Sequence, residues 1–160
     1  MNIYLDTEFI EHKNHLELIS IALVKEDGEC YYAISSEFDE NKANEWVKAN
    51  VISLLEHDLE RKSTEIIKKE IVEFIGYQIP EIWAYFGSFD WVLLMWLYGG
   101  LSSLPYNFPM YYMELRQEIK RLKLPESLFP VNQNKHHALS DAFWNKKLHQ
   151  ILKEFEKSNH

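Results

Sequence analysis

From Leu16 to Val24 the chain is almost continuously apolar and rich in β-branched residues. A short run of that kind reads as a strand covered on both faces, at the centre of a sheet rather than at its rim. Asp27-Gly28 follows, a strong signal for a tight reversal between antiparallel strands. Glu29 to Ser35 then reads as the returning strand, and residues 2–6 ahead of the run read as a first strand. The N-terminal part is therefore expected to form a three-stranded antiparallel meander.

The rest alternates helix and strand. Residues 43–60 carry Trp46, Val47, Leu54, Leu55 and Leu59, and residues 64–76 place Ile67, Ile71, Phe74 and Ile75 on one helical face. Glu81 to Phe86 reads as a strand. Residues 89–98 read as a helix apolar nearly all round, stopped by Gly99-Gly100, and so expected to be covered on every side by the core or by a second subunit. Residues 112–123 are expected to be helical, residues 124–135 a polar loop with Pro125 and Pro130. The last helix should run from about Ala138 to Phe155 with the stripe Trp144, Leu148, Ile151 and Phe155. Meander first and helix–strand alternation after it implies an α/β layer fold with a mixed sheet, whose natural site lies at the strand ends near the topological switch.

Neither repeat nor linker interrupts the 160 residues, which suits one domain over 1–160 with a real core. Hydrophobic residues at 46% and charged residues at 26% argue against disorder. A single cysteine, Cys30, excludes an internal disulfide and a cysteine-based metal site. Without a signal-peptide pattern or an apolar run long enough to span a bilayer, a reduced cytoplasm is the expected location. The formal charge of −8 counts against a protein that coats long nucleic acid through a basic surface, but not against an enzyme gripping a strand end through bound cations.

Three motifs carry acids where chemistry would want them. In Asp6-Thr7-Glu8-Phe9, residues two apart on a strand point to one face, so two carboxylates stand side by side at a strand end. Such a pair repels unless a hard divalent cation sits between its members. The blander account is a strand that has run out into solvent. In Tyr85-Phe86-Gly87-Ser88-Phe89-Asp90, the aspartate opens the apolar helix, where Ser88 or Asp90 would also serve as an ordinary cap. In His136-His137-Ala138-Leu139-Ser140-Asp141, the aspartate lies on the inward side of the last helix and needs a partner there; an acid in the first turn is also favoured by the helix dipole.

Taken in order, Asp-x-Glu at the N-terminus, an aspartate in mid-chain and His-x-x-x-x-Asp on the last helix resemble the DEDDh exonucleases. Asp6-Thr7-Glu8-Phe9-Ile10-Glu11, Glu17-Leu18-Ile19-Ser20-Ile21, Tyr31-Tyr32-Ala33, Trp83-Ala84-Tyr85 and Glu114-Leu115-Arg116-Gln117 are similar to the bacterial ribonuclease AS branch, over roughly residues 1 to 150. The departure is Phe86-Gly87-Ser88-Phe89-Asp90-Trp91, where the branch is richer in tyrosine. The resemblance implies an RNase H-like fold with a mixed five-stranded sheet flanked by helices. It implies two Mg²⁺ or Mn²⁺ ions held by Asp6, Glu8, Asp90 and Asp141, and His136 as general base. It implies a 3′-5′ exoribonuclease that releases nucleoside 5′-monophosphates from single-stranded, adenylate-rich RNA 3′ ends, and, with the apolar helix at 91–98, a homodimer. Phe9 is a candidate stacking platform for the terminal base, or equally a core residue; Glu114 and Arg116 are candidates for contact with the terminal base or phosphate, or equally a solvated helix face. A DNA-trimming exonuclease of the same superfamily and a non-catalytic binding module of the same fold remain alternatives.

The two histidines set geometry against motif. An α-helix turns about 100° per residue, so a helix running through both would put His137, not His136, on the face of Asp141. The resemblance selects His136. The two agree if the helix starts only after His136, leaving that residue on a loop over the acids and His137 exposed in the first turn.

Overall fold

The structure, a computed structural model that describes residues 1–159, is built on a five-stranded sheet in the order β3-β2-β1-β4-β5. The strands are β1 (Asn2–His12), β2 (His15–Lys25), β3 (Cys30–Ile34), β4 (Glu81–Ala84) and β5 (Met113–Glu114). β1–β2 and β2–β3 pair antiparallel, as the meander requires, whereas β1–β4 and β4–β5 pair parallel. The sheet is therefore mixed, with its change of direction at β1. The Asp27-Gly28 reversal is present, with Gly28 at φ 96° and its N–H on the carbonyl of Lys25.

β2 is buried along its length, which its apolar run required. One sheet face meets the helices α2 (Thr64–Ile75) and α3 (Ser88–Leu97), packing Ile3, Leu5 and Leu23 against Ile67, Ile71 and Leu94. The opposite face meets α4 (Leu115–Leu122) and α5 (Ala138–Ser158), packing Tyr4, Ala22 and Val24 against Leu115, Leu148 and Leu152. A third cluster, Ile10, Ile19, Ile34, Val47, Val51 and Leu55, closes the far end of the meander under the short helix α1 (Glu45–Asn50).

Several expectations need correction. β1 does not stop at Asp6; it continues to His12, because β2 pairs with it all the way, with one register slip at Glu8/Phe9. The long helix expected over 43–60 is only α1 followed by a single 3₁₀ turn at Ile52–Leu54. Asn50 and Ser53 return their side chains to the carbonyls of Trp46 and Ala49, and the chain leaves the helix there. Val47 and Leu55 are buried, but Trp46, Leu54 and Leu59 face outward. In the single chain α3 is not covered on every side: Trp91, Leu93 and Leu94 are buried, Phe89 and Trp96 are exposed. Finally, Met113-Glu114 pairs with β4 as a two-residue strand before α4 begins.

Candidate active site

β4 pairs with β1 only over Asn2 to Tyr4 and then ends at Ala84. Beyond that point the edge of β1 would carry an unpaired N–H at Thr7. Asp90, buried in the first turn of α3, takes its place: one carboxylate oxygen accepts from the Thr7 N–H at 2.7 Å and from the Thr7 hydroxyl at 2.6 Å. The turn between β4 and α3 admits this approach because of Gly87, where a Cβ would stand 2.3 Å from the Cβ of Ala84. Asp90 is therefore not the cap of α3, whose N-cap is Gly87 and lacks a side-chain bond; it fastens the first turn of the helix to the open edge of the central strand.

Strand alternation puts Asp6 and Glu8 on the face of Tyr4, which is the face covered by α5. There they meet Asp141, whose carboxylate is held from two sides: one oxygen accepts from the Asn132 amide, the other from the His136 N–H at 2.8 Å. Asn145, one turn further along α5, is buried and donates to the carbonyl of Leu5 at 3.0 Å, fixing α5 on β1. The acids open into a cleft of about 680 Å³ that also takes in Phe9, Phe86, Val131, Lys135 and His136. This cleft lies just beyond the carboxyl end of β4, against the middle of β1, where the sheet changes direction.

The electrostatics are those of crowded acids. Burial first, then the charges of Asp90, Asp141 and Glu8, push the Asp6 carboxyl well above the ordinary carboxylate range. Burial and then Asp141 and Asp90 push Glu8 up to about 8. Asp90 is raised to about 6 by burial, against the lowering effect of its bonds to Thr7. Asp141 is raised by burial, against the bonds from His136 and Asn132. One ligand atom each of Glu8, His136 and Asp141 lies within 4.8 Å of the others, close enough for a single ion to meet all three. A donor set of carboxylate oxygens without thiols suits a hard cation.

The helix does begin after His136, at Ala138. His136 stands on the preceding turn in the left-handed region, φ 67°, with its ring exposed and edge-on to Trp46 at 4.8 Å. His137 is not the exposed first-turn residue expected. It occupies the N-cap position without a side-chain cap bond, is half-buried against Tyr32, and its Nε2 lies 2.9 Å from Glu56. The cause is tertiary: α1 and the turn after it bring Glu56 to the start of α5.

Phe9 is half-buried, lines the cleft and packs edge-on against Phe89. Glu114 and Arg116 lie outside the cleft, in an adjoining groove that shares Phe86 with it. Glu114 is neither a solvated helix residue nor free to meet a base: Oε1 accepts from the Phe86 and Arg116 N–H groups and Oε2 from Gly87. It caps α4 and clamps the turn that presents Phe86 and Asp90. Thr7, Asn132 and Asn145 also build the site, in roles that the sequence pattern did not assign to them. Asn145 was discoverable, four residues after Asp141 on the same helical face; Asn132 and Trp46 come from a loop and a distant helix and left no local signal.

A model of the 3′-5′ exoribonuclease Rv2179c-like domain matches residues 1–152. Two curated relatives from Mycobacterium tuberculosis bear the names 3′-5′ exoribonuclease MT2234.1 (strain CDC 1551 / Oshkosh) and 3′-5′ exoribonuclease Rv2179c (strain ATCC 25618 / H37Rv). Each is 38% identical over 147 residues, covering 89% of this chain and 87% of the relative. With acids, histidine and cleft assembled over the same span, the chain belongs to the family of Rv2179c-like 3′-5′ exoribonuclease domains.

Proposed function

We propose that this chain is a metal-dependent 3′-5′ exoribonuclease that removes nucleoside 5′-monophosphates from single-stranded RNA, with preference for adenylate-rich 3′ ends. The observation that carries the reading is the convergence of Asp6, Glu8, Asp90 and Asp141 on one cleft, where each holds its proton more tightly than an isolated carboxyl. Such crowding is costly for a fold to keep unless cations neutralise it. Family membership supports the exonuclease chemistry, and the strand order β3-β2-β1-β4-β5 supports an RNase H-like reading of the fold. The adenylate preference rests on the resemblance to the ribonuclease AS branch.

Asp6, Glu8, Asp90 and Asp141 would hold two Mg²⁺ or Mn²⁺ ions. Bound there, the ions would lower the pKa of a water and stabilise charge on the attacking and leaving oxygens of the phosphodiester. Thr7 keeps Asp90 in place at the strand edge, while Asn132 and the His136 N–H fix both oxygens of Asp141. His136 takes the proton of the attacking water on its imidazole. Its exposed ring, edge-on to Trp46, already stands over the cleft, with a ring nitrogen within 4.8 Å of carboxylate oxygens of Glu8 and Asp141. Phe9 offers an aromatic face to the terminal base.

The outward Phe89 and Trp96 of α3 support a homodimer as part of this reading. Among the described residues no helix is long and apolar enough to cross a membrane, in keeping with work on RNA in the cytoplasm. The test is incubation with 5′-labelled oligoadenylate, oligouridylate, oligocytidylate and oligodeoxyadenylate in Mg²⁺. A ladder shortening from the 3′ end, fastest on oligoadenylate, is expected. Equal rates on the three RNAs withdraw the adenylate preference; faster loss of the DNA moves the assignment to a DNA-trimming enzyme.

A further inference from the structure

The groove across Phe86 from the cleft, about 530 Å³ in volume, is lined by Arg116, Lys120 and Lys123. These residues are spaced four and three apart, so α4 presents them on one side, with Lys123 held at its end by a left-handed turn at φ 56°. All three are exposed, and among the described residues none is paired with an acid. Arg121 of the same helix shows the contrast, being tied to both Glu118 and Glu156. In a chain of net charge −8, three cations without acid partners gathered in one groove beside the cleft make a local positive patch.

Two acids share the groove. Glu114 is consumed by backbone N–H groups, and Glu126 stands exposed at the lip. The hollow on the other flank of the cleft, beside His137, is lined by Glu56 and no lysine or arginine. Lys135 lines the cleft itself, but beyond the cleft the α4 groove is lined by cations and the hollow beside His137 by none, so a polyanion leaving it is drawn to the α4 side.

Phe86 marks the passage. It is a non-glycine residue at φ 54°, a costly conformation maintained by the bond from its N–H to Glu114, and the residue is 65% exposed. Lining both the cleft and the groove, it is placed to stack a base between them.

We propose that this groove is the track for the RNA upstream of the terminal nucleotide: Phe86 stacks a base, while Lys120 and Lys123, beyond Arg116, bind phosphates. The proposal rests on the exoribonuclease reading and extends it from the strand end to the strand's path. It predicts that substrate length matters through α4.

The test measures binding by fluorescence anisotropy of 5′-labelled oligoadenylates, a dinucleotide and a dodecamer, on an Asp6→Asn background in Mg²⁺ so that the RNA stays intact. Lys120→Gln with Lys123→Asn removes both charges and keeps a residue tolerant of the left-handed turn. The dodecamer should bind roughly two- to thirty-fold more weakly, so its advantage over the dinucleotide shrinks. The slope of log affinity against log salt for the dodecamer should flatten by about 0.7 per lysine. Glu126→Gln should act in the opposite sense and tighten the dodecamer, which a general loss of fold cannot imitate. Equal effects on both lengths, or none, overturn the proposal. Cleavage is followed separately on the chain with Asp6 intact. If RNA binds as described and is never shortened, the exoribonuclease reading falls and the groove stands as an RNA-binding track.

Discussion

Replacing Glu8 by glutamine should stabilise the metal-free protein, and only at high pH. Glu8 is pushed up to about 8 from an ordinary 4.5, so folding favours its protonated form. A raised carboxyl contributes its stability in full below the unfolded value and loses it as pH rises through the folded one. The loss therefore spans pH 4.5 to about 8. At roughly 1.4 kcal/mol per pKa unit, that interval sets a ceiling of about 5 kcal/mol. Burial is the larger cause and repulsion by Asp141 and Asp90 the smaller; water entering the open cleft relieves part of both, leaving ~2 kcal/mol as the working figure. For a chain of this size that is a rise of roughly 4–8 °C in Tm. Melting curves in EDTA at pH 5 and pH 9 provide the assay. Glu8→Gln should match the parent at pH 5 and exceed it at pH 9. Adding Mn²⁺ at pH 9 should raise the parent more than the variant and remove the gap. An equal gain at both pH values, or a gain only at pH 5, would refute the argument that crowded carboxylates destabilise this site.

Activity on labelled RNA should vanish in EDTA and return with Mg²⁺ or Mn²⁺; full turnover in chelator would remove the metal from the mechanism. His136→Ala should lower the turnover rate by roughly two to four orders of magnitude with metal affinity nearly unchanged in calorimetry with Mn²⁺; a large loss of affinity would make His136 a ligand beside Glu8 and Asp141 and not the base. His137→Ala should retain turnover but lose about 0.5–1.5 kcal/mol of stability with its bond to Glu56; the reverse pattern of rates would transfer the base to His137. Glu114→Ala should cost about 1–3 kcal/mol by orphaning the N–H groups of Phe86, Gly87 and Arg116. Proteolysis should then cut near Phe86 more readily, and an unchanged digestion pattern would show that the clamp is dispensable.

Local pattern alone determined much of this protein. The apolar run of β2, the Asp27-Gly28 reversal and the stripe of α5 are short-range features, since burial and turn geometry act on residues a few positions apart. Strand alternation sufficed to put Asp6 and Glu8 on one side, and the order of the acids indicated the family. Elsewhere the tertiary structure decided. The apolar residues between 43 and 60 fit one long helix, but side-chain bonds to the backbone and the needs of the third core cluster divided it. Glu114 looked like a surface acid because nothing nearby in sequence shows that the N–H groups of Phe86 and Gly87, far back along the chain, await it. Asp90 passed equally for a helix cap; that it is anchored at the strand edge follows from β4 ending at Ala84, which leaves the Thr7 N–H without a strand partner. The start of α5 at Ala138, and with it the separate surroundings of His136 and His137, depends on Trp46 and Glu56 arriving from α1 and its following turn. Periodicity records which side of an element is buried; which distant group meets that side is written only in the packing.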